Sequence, residues 1–215
     1  MKQLLVLTLL LLAPRFAHAD VYNDDCANLV GSCDYYACVD QNRLSCGGQG
    51  YALGYGKKYC EKFSAIDFPE AKTTLGADIF PGNGNVWRDN VRSCLQVNME
   101  AWFAGDAKKD CGSLRAFAFN SHPDCYTAGP SFCELTPDNV ARIGLTIQLN
   151  DFFKAESQQQ IRTTSRICVA QMDSRISDER NPLVRFNLVE YRKLWALVSA
   201  DPSLLNRLFG QGRQH

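Results

Sequence analysis

Residues 181–198 read NPLVRFNLVEYRKLWALV, and this stretch indicates the fold class. Asn181 can place its side-chain oxygen at the N-cap of a helix, and Pro182 suits the first helical position, where its missing N–H costs no hydrogen bond. Apolar residues then recur at steps of three and four, at Val184, Leu188, Tyr191, Leu194, Trp195 and Val198. Charged residues fall between them, so the stretch predicts an amphipathic helix with one buried face.

The same signals occur elsewhere in the chain. Thr136-Pro137 and Asp201-Pro202 repeat the combination of a capping side chain and a proline, and each predicts a helix start. A second apolar stripe lies upstream, at Trp87, Val91, Cys94, Leu95, Met99 and Trp102. This stripe puts Cys94 on the buried face of its helix, where it suits a bridge to a neighbouring helix.

Strand signals are nearly absent from the sequence. Residues 145–149 (LTIQL) form the one short alternating segment, and it lies in a helical context, so we predict an all-α fold. Residues 64–85 contain several prolines and glycines with little apolar periodicity, and we predict a long exposed loop there. We predict one domain over residues 20–215, divided into a disulfide-rich segment (20–63), the loop (64–85) and a helical body (86–215).

The cysteines indicate the redox compartment. Ten are present: Cys26, Cys33, Cys38, Cys46, Cys60, Cys94, Cys111, Cys125, Cys133 and Cys168. An even number at this density is hard to explain in a reducing cytosol, so we predict five intramolecular disulfides and no free thiol. Two cysteines separated by two residues do not occur, so neither a zinc knuckle nor a thioredoxin-like dithiol is indicated.

The N-terminus indicates export. Lys2 gives a positive start, residues 4–13 form an almost unbroken apolar run, and Ala17-His18-Ala19 supplies small residues at the positions that a signal peptidase requires. The apolar run has about half the length that a membrane span needs. We therefore expect a signal peptide over residues 1–19 and a secreted, extracellular protein.

Charge excludes two classes of main partner. The chain has 23 basic and 23 acidic residues, and two of the basic ones lie in the predicted leader, so the mature chain carries a formal net charge of −2. Binding to nucleic acid or to an anionic membrane would require a basic surplus. The sequence disfavours both as main partners.

Candidate catalytic residues are few. Beyond the leader the chain has only two histidines, His122 and His215, which gives little material for a zinc site or a Ser-His-Asp triad. A pair of His122 and Asp124 could activate water in a hydrolase, or His122 could be a loop histidine beside a disulfide. Sequence signatures of serine hydrolases, zinc peptidases, P-loops and EF-hands are absent. We therefore predict a non-enzyme with no catalytic residue, cofactor or metal.

Glycines and tyrosines are concentrated in residues 47–59. The run Gly47-Gly48-Gln49-Gly50 could cradle a phosphate, or it could permit tight backbone packing between the flanking cysteines. Three tyrosines recur at four-residue steps: Tyr51, Tyr55 and Tyr59. They belong either to the buried face of a helix or, with Tyr35 and Tyr36, to an exposed aromatic contact surface.

The order of the cysteines and of the residues beside them resembles the stanniocalcin family over almost the whole mature chain. The segments that carry the resemblance are VGSC (30–33), YACVDQN (36–42), SC (45–46), GY (54–55), YCEKF (59–63), Trp87 to Leu95, CGS (111–113), DCY (124–126), FC (132–133) and Cys168. The intervals from Cys111 to Cys125 and from Cys133 to Cys168, with 13 and 34 intervening residues, are similar to those of the family.

This resemblance implies a disulfide pairing that the residues alone could not select from the many available. The implied pairs are Cys26–Cys38, Cys33–Cys60, Cys46–Cys111, Cys94–Cys125 and Cys133–Cys168. It also implies a secreted, non-enzymatic regulatory protein of the hormone type, which acts by surface contact with a protein receptor or a secreted protease. The roles implied are calcium and phosphate homeostasis and inhibition of pappalysin-type metalloproteases. The alternative is a secreted effector or hydrolase on the same scaffold.

The chain departs from the family pattern at three places. Segments 47–59 and 64–85 are longer than in the animal hormones, and their role stays open. The additional cysteine that links two protomers in the family has no counterpart, so we expect a monomer or a noncovalent homodimer. The apolar residues near the C-terminus either pack onto the domain or form a self-complementary patch: Leu204, Leu205, Leu208 and Phe209.

Overall fold

A computed structural model describes residues 24–209, and the predicted signal peptide lies outside this range. Within it, helices and short helical turns form all the regular structure, and no strand occurs, so the predicted all-α fold is confirmed. The α-helices are α1 (Asp34–Asn42), α2 (Lys58–Ser64), α3 (Thr74–Ile79), α4 (Gly84–Ala104), α5 (Cys111–Thr127), α6 (Pro137–Thr146), α7 (Leu149–Phe152), α8 (Ala155–Asp178), α9 (Pro182–Ala200) and α10 (Ser203–Phe209).

Shorter helical turns complete the chain. Turns of 3₁₀-helix occupy Cys26–Leu29, Gly47–Gln49 and Phe132–Glu134, and a π-helical segment over Ala52–Lys57 leads directly into α2. The candidate strand at residues 145–149 is divided between the end of α6 and the start of α7. Its alternation therefore reflects a connection between two helices.

Side-chain caps start the helices that the sequence predicted. Thr136, Asn181 and Asp201 each accept a hydrogen bond from a backbone N–H two or three residues further along, at 3.2, 3.0 and 3.0 Å. Pro137 and Pro182 occupy the first turns of α6 and α9. These bonds satisfy N–H groups that have no partner within their own helix.

Helix α4 contributes to two hydrophobic cores. Its first half places Trp87, Val91 and Leu95 in a core that also contains the buried faces of α6, α8 and α9. Its second half places Met99 and Trp102 in another core, with side chains from α1, the π-helical segment and α5. The predicted stripe on α4 is therefore buried along its length, and α4 joins the two cores.

Helices α8 and α9 are the main elements of the first core. A connection of three residues, 179–181, joins them, as expected for antiparallel neighbours. The predicted stripe of α9 is buried against α8 and the rest of the core; its most buried members are Val184, Leu188, Trp195 and Val198, each at most 1% exposed.

Residues 64–85 differ from the predicted exposed loop. They contain α3 and the first residues of α4, and Phe68 and Ile79 are 1% and 5% exposed. The ring of Phe80 packs edge-on against Tyr191, with 5.0 Å between ring centres. Periodicity did not reveal this packing, because single apolar residues separated by turns fix the segment to the core.

Five disulfides join the ten cysteines, and the pairs are those that the family resemblance implies. Cys94, predicted to bridge to a neighbouring helix, is bonded to Cys125 of α5. The bond with the largest sequence separation, 65 residues, joins Cys46 to Cys111 at the start of α5. All ten cysteines lie in the described range and none is free, so none is available for a bond to a second chain.

We expect the double variant Cys46→Ala, Cys111→Ala to lose about 4 kcal/mol of unfolding free energy, because its unfolded chain regains the freedom of a loop of 65 residues. Cys111 is exposed and Cys46 half-buried, so little packing is lost with the sulfurs. Urea denaturation followed by circular dichroism measures the difference. A loss below about 1 kcal/mol would show that this bond does not restrict the unfolded chain as the entropy account requires.

Candidate functional site

His122 and Asp124 do not form a catalytic pair. His122 lies inside α5 rather than in a loop and is 2% exposed, whereas Asp124 is exposed. The His122 Nδ1–H donates to the carbonyl oxygen of Ala118 at 2.5 Å, and the Tyr51 hydroxyl lies 3.5 Å from Nε2. Burial lowers the pKa of His122 to about 4, so its ring is neutral at physiological pH.

The tyrosines are core residues, and the alternative of an exposed aromatic surface is wrong. Tyr51, Tyr55 and Tyr59 are at most 7% exposed, and Tyr35 and Tyr36 at most 2%. The ring centre of Tyr55 lies 4.6 Å from that of Tyr59, on the same stripe. Burial raises the pKa of all of these tyrosines for which a shift is resolved, which keeps their hydroxyls protonated.

The glycine-rich run packs against the protein's own groups. The Asp40 carboxylate accepts the backbone N–H groups of Cys46 and Gly47 at 3.0 and 2.9 Å, so a carboxylate already binds where a phosphate would have to bind. A Cβ on Gly50 would lie 2.3 Å from the Cβ of Cys46, and Gly47 has a φ of +62°, which favours glycine. Tight packing therefore accounts for Gly50 and backbone conformation for Gly47.

Ion pairs of the buried Arg43 side chain hold Asp24, the first described residue, close to α4. The Arg43 side chain, 3% exposed, binds Asp24 and Glu100 at 2.7 Å each, and the Tyr35 hydroxyl donates to Glu100 at 2.7 Å. Asp24 lies near the sulfurs of Cys26 and Cys38, the one cluster in residues 24–209 with the spacing of metal ligands. These two sulfurs are bonded to each other, so they are not thiolate ligands.

A second buried carboxylate was not predicted from the sequence. Asp151 of α7 accepts hydrogen bonds from Lys58 and Tyr59 of α2, both at 2.6 Å, and from Lys154 at 2.7 Å. These partners hold its pKa well below the ordinary value in spite of burial. The cluster joins α2 to α7. Lys58 and Asp151 are 93 positions apart in sequence, so no local sequence pattern predicts their contact.

The outward side of α9 is the most conspicuous surface feature. Leu183, Phe186 and Leu197 are 54%, 61% and 59% exposed. Helical spacing places them on one side of α9, opposite the buried stripe, with the ion pair of Glu190 and Lys193 between them. We call these five residues the α9 outer face. Sequence reasoning took account of only the buried side of this helix.

The apolar C-terminal residues mainly pack onto the domain. Leu205 is 9% exposed, Leu204 packs at the edge of the first core, and Leu208 is 48% exposed. The side chain of Phe209 and residues 210–215, with His215, lie outside the description. For Leu204 and Leu205, packing onto the domain replaces the alternative of an exposed patch.

Comparisons with known proteins leave the family open. No protein-family model matches the chain, and no curated protein and no solved structure matches it either. The stanniocalcin resemblance therefore stays a prediction from the cysteine order and its flanking residues. None of the helices within residues 24–209 combines the length and the apolar composition of a membrane span.

The buried His122 predicts a specific pH dependence of stability. Its folded pKa of about 4 lies below the ordinary value of 6.5, so between these pH values the unfolded chain binds the proton first. Stability is then complete above pH 6.5 and falls by about 3 kcal/mol as the pH approaches 4.

We expect His122→Phe to lose this slope between pH 6.5 and 4, because a phenyl ring takes up no proton. Unfolding free energies from urea denaturation, measured for both proteins over this range, test the prediction. The comparison uses slopes, since a change of packing shifts all values of the variant equally. Identical slopes in the two proteins would contradict it.

Proposed function

We propose that this chain is a secreted, non-enzymatic regulatory protein that acts by binding a protein partner through the α9 outer face. The observation that carries the proposal is the exposure of Leu183, Phe186 and Leu197, each more than half exposed on one side of α9, with Leu197 about three turns beyond Phe186. Isolated exposed apolar residues are ordinary, but several on one face typically belong to an interaction site.

The packing of α9 against the rest of the protein suits such a contact. Its opposite side is fixed in the first core by side chains such as Leu188 and Trp195, each 1% exposed. The surface is therefore ordered before a partner binds, and little conformational entropy is lost on binding. The ion pair of Glu190 and Lys193 lies between the apolar residues and can select a partner of matching charge pattern.

The shape of the face favours a protein over a small molecule. Leu183 and Phe186 lie one turn apart on α9 and can enter an apolar groove of a partner, and docking of a helix in a groove is a common mode of protein recognition. The stanniocalcin resemblance and the five disulfides support a partner in the extracellular space, such as a receptor or a secreted protease. Calcium and phosphate homeostasis is the physiological role that the resemblance suggests.

The hydrolase alternative has less support. Its one acid–base pair would be His122 and Asp124, and His122 donates to a backbone carbonyl in the protein interior. A substrate at the surface would have no contact with this ring. Binding without chemistry accounts for the arrangement with fewer assumptions.

The direct test is inhibition of a pappalysin-type metalloprotease. The disulfide-bonded protein is added to the protease, and cleavage of the protease's protein substrate is followed over time. We expect inhibition that weakens at least tenfold in the double variant Phe186→Ser, Leu197→Ser, because two apolar anchors are removed from the contact. Both residues face outward, so the variant should keep the circular dichroism spectrum of the parent.

The matched control is Val97→Ser, a similar change on α4 at a side chain that is 54% exposed. It should inhibit as the parent does, and so should His122→Phe. Lack of inhibition by the parent protein at micromolar concentration would refute the protease as partner. Equal inhibition by the double variant would refute the α9 outer face.

A further inference from the structure

Helix α8 presents polar side chains to the protein interior over its first half. Gln160, Thr164 and Ser165 are 8%, 4% and 1% exposed, whereas Cys168 and Met172 continue the same side as apolar residues. The Ser165 hydroxyl donates to the helix's own backbone. Gln160 Oε1 and Thr164 Oγ1 have no hydrogen-bond partner, and leaving buried polar atoms unpaired costs folding free energy.

These two side chains border the same cavity. It measures about 60 Å³ and lies where α6, α8, α9 and α10 meet. Most of the rest of its wall is apolar and includes Ile143, Ile147 and Phe152. No charged side chain of residues 24–209 lines it.

The same cavity has an approach from the surface. Gln160 also borders a groove of about 430 Å³ between α5 and α8, and among residues 24–209 it is the one residue that lines both the groove and the cavity. On the α6 side the cavity wall includes Gly144, where a Cβ would meet no atom within 4 Å. A small molecule in the groove therefore lies next to a side chain that also borders the cavity.

We propose that this cavity binds a small uncharged alcohol. The ligand hydroxyl donates to Gln160 Oε1 and accepts from the Thr164 hydroxyl, so both oxygens gain a partner. Its carbon atoms contact Ile143, Ile147 and Phe152. The binding site is separate from the α9 outer face, and the proposal does not depend on the function proposed above.

Charge and size restrict the ligand class. A carboxylate or an ammonium group would lose its hydration without meeting an opposite charge, which excludes acids and amines in their ionised forms. A cavity of about 60 Å³ is smaller than the roughly 150 Å³ that holds benzene, so the ligand is a short aliphatic chain of about three carbon atoms. Water could bond to the two oxygens but would gain nothing from the apolar wall.

The test uses 1-propanol as the probe and the intact disulfide-bonded chain. Methyl resonances of Ile143 and Ile147 are followed by NMR during titration, and we expect a saturable shift. Thr164→Val and Gln160→Met should each weaken propanol binding about tenfold, since each removes one hydrogen bond. Xenon, which needs no hydrogen bond, should bind these variants as it binds the parent. Thr164→Val removes an unpaired buried oxygen, so it should fold at least as stably as the parent. Gln160→Met also removes the amide that hydrogen-bonds to the buried Tyr126 hydroxyl, so its fold is checked by circular dichroism before the titration.

Two further variants separate the cavity from its surroundings. Thr163→Val makes the same chemical change one position away, in the groove and outside the cavity lining, and should leave propanol affinity unchanged. Ile161→Phe enlarges a side chain that lines the cavity and should weaken both propanol and xenon. The proposal is overturned if the isoleucine methyls show no saturable shift, if Thr164→Val binds propanol as the parent does, or if a crystal grown with propanol contains only water in the cavity.

Discussion

The burial of one helix between two hydrophobic cores is the constraint on which this structure depends. Helix α4 gives Trp87 and Leu95 to one core and Met99 and Trp102 to the other, so both cores contain side chains of this one helix. The bond between Cys94 and Cys125 fixes α5 beside the middle of α4. Packing and covalent chemistry therefore act at the same place, and the remaining helices are arranged around it.

Regular local patterns predicted much of the fold from the sequence. Helix caps such as Thr136 and Asn181, and the apolar stripes of α4 and α9, involve residues only a few positions apart. Such local patterns can be recognised in the sequence alone. The even number of cysteines predicted five disulfides, whereas the pairing was predicted only from the family resemblance. The prediction of an exposed loop over residues 64–85 was wrong because Phe68 and Ile79 are single buried residues. A single apolar residue produces no periodic pattern in the sequence.

The candidate sites were less predictable, for a physical reason. Burial of His122 removes the chemistry that its sequence neighbourhood suggests, and burial depends on residues such as Tyr51 that are 71 positions away. The polar side of α8 is likewise informative only once it is known to face inward. The outer face of α9 was visible as letters in the sequence, but its exposure depends on which side of the helix the core occupies.

The molecule consists of a disulfide-bonded part and a C-terminal part, α9 and α10, that contains no disulfide. The final cysteine is Cys168, so all five disulfides lie within residues 26–168 and none includes α9 or α10. No disulfide holds α9 in place, so its docking is noncovalent. A chain that stops before Pro182 would contain all ten cysteines and would expose the interior side of α8. The oxidation state of the cysteines therefore cannot report whether α9 has docked, whereas the exposed apolar surface of α8 can.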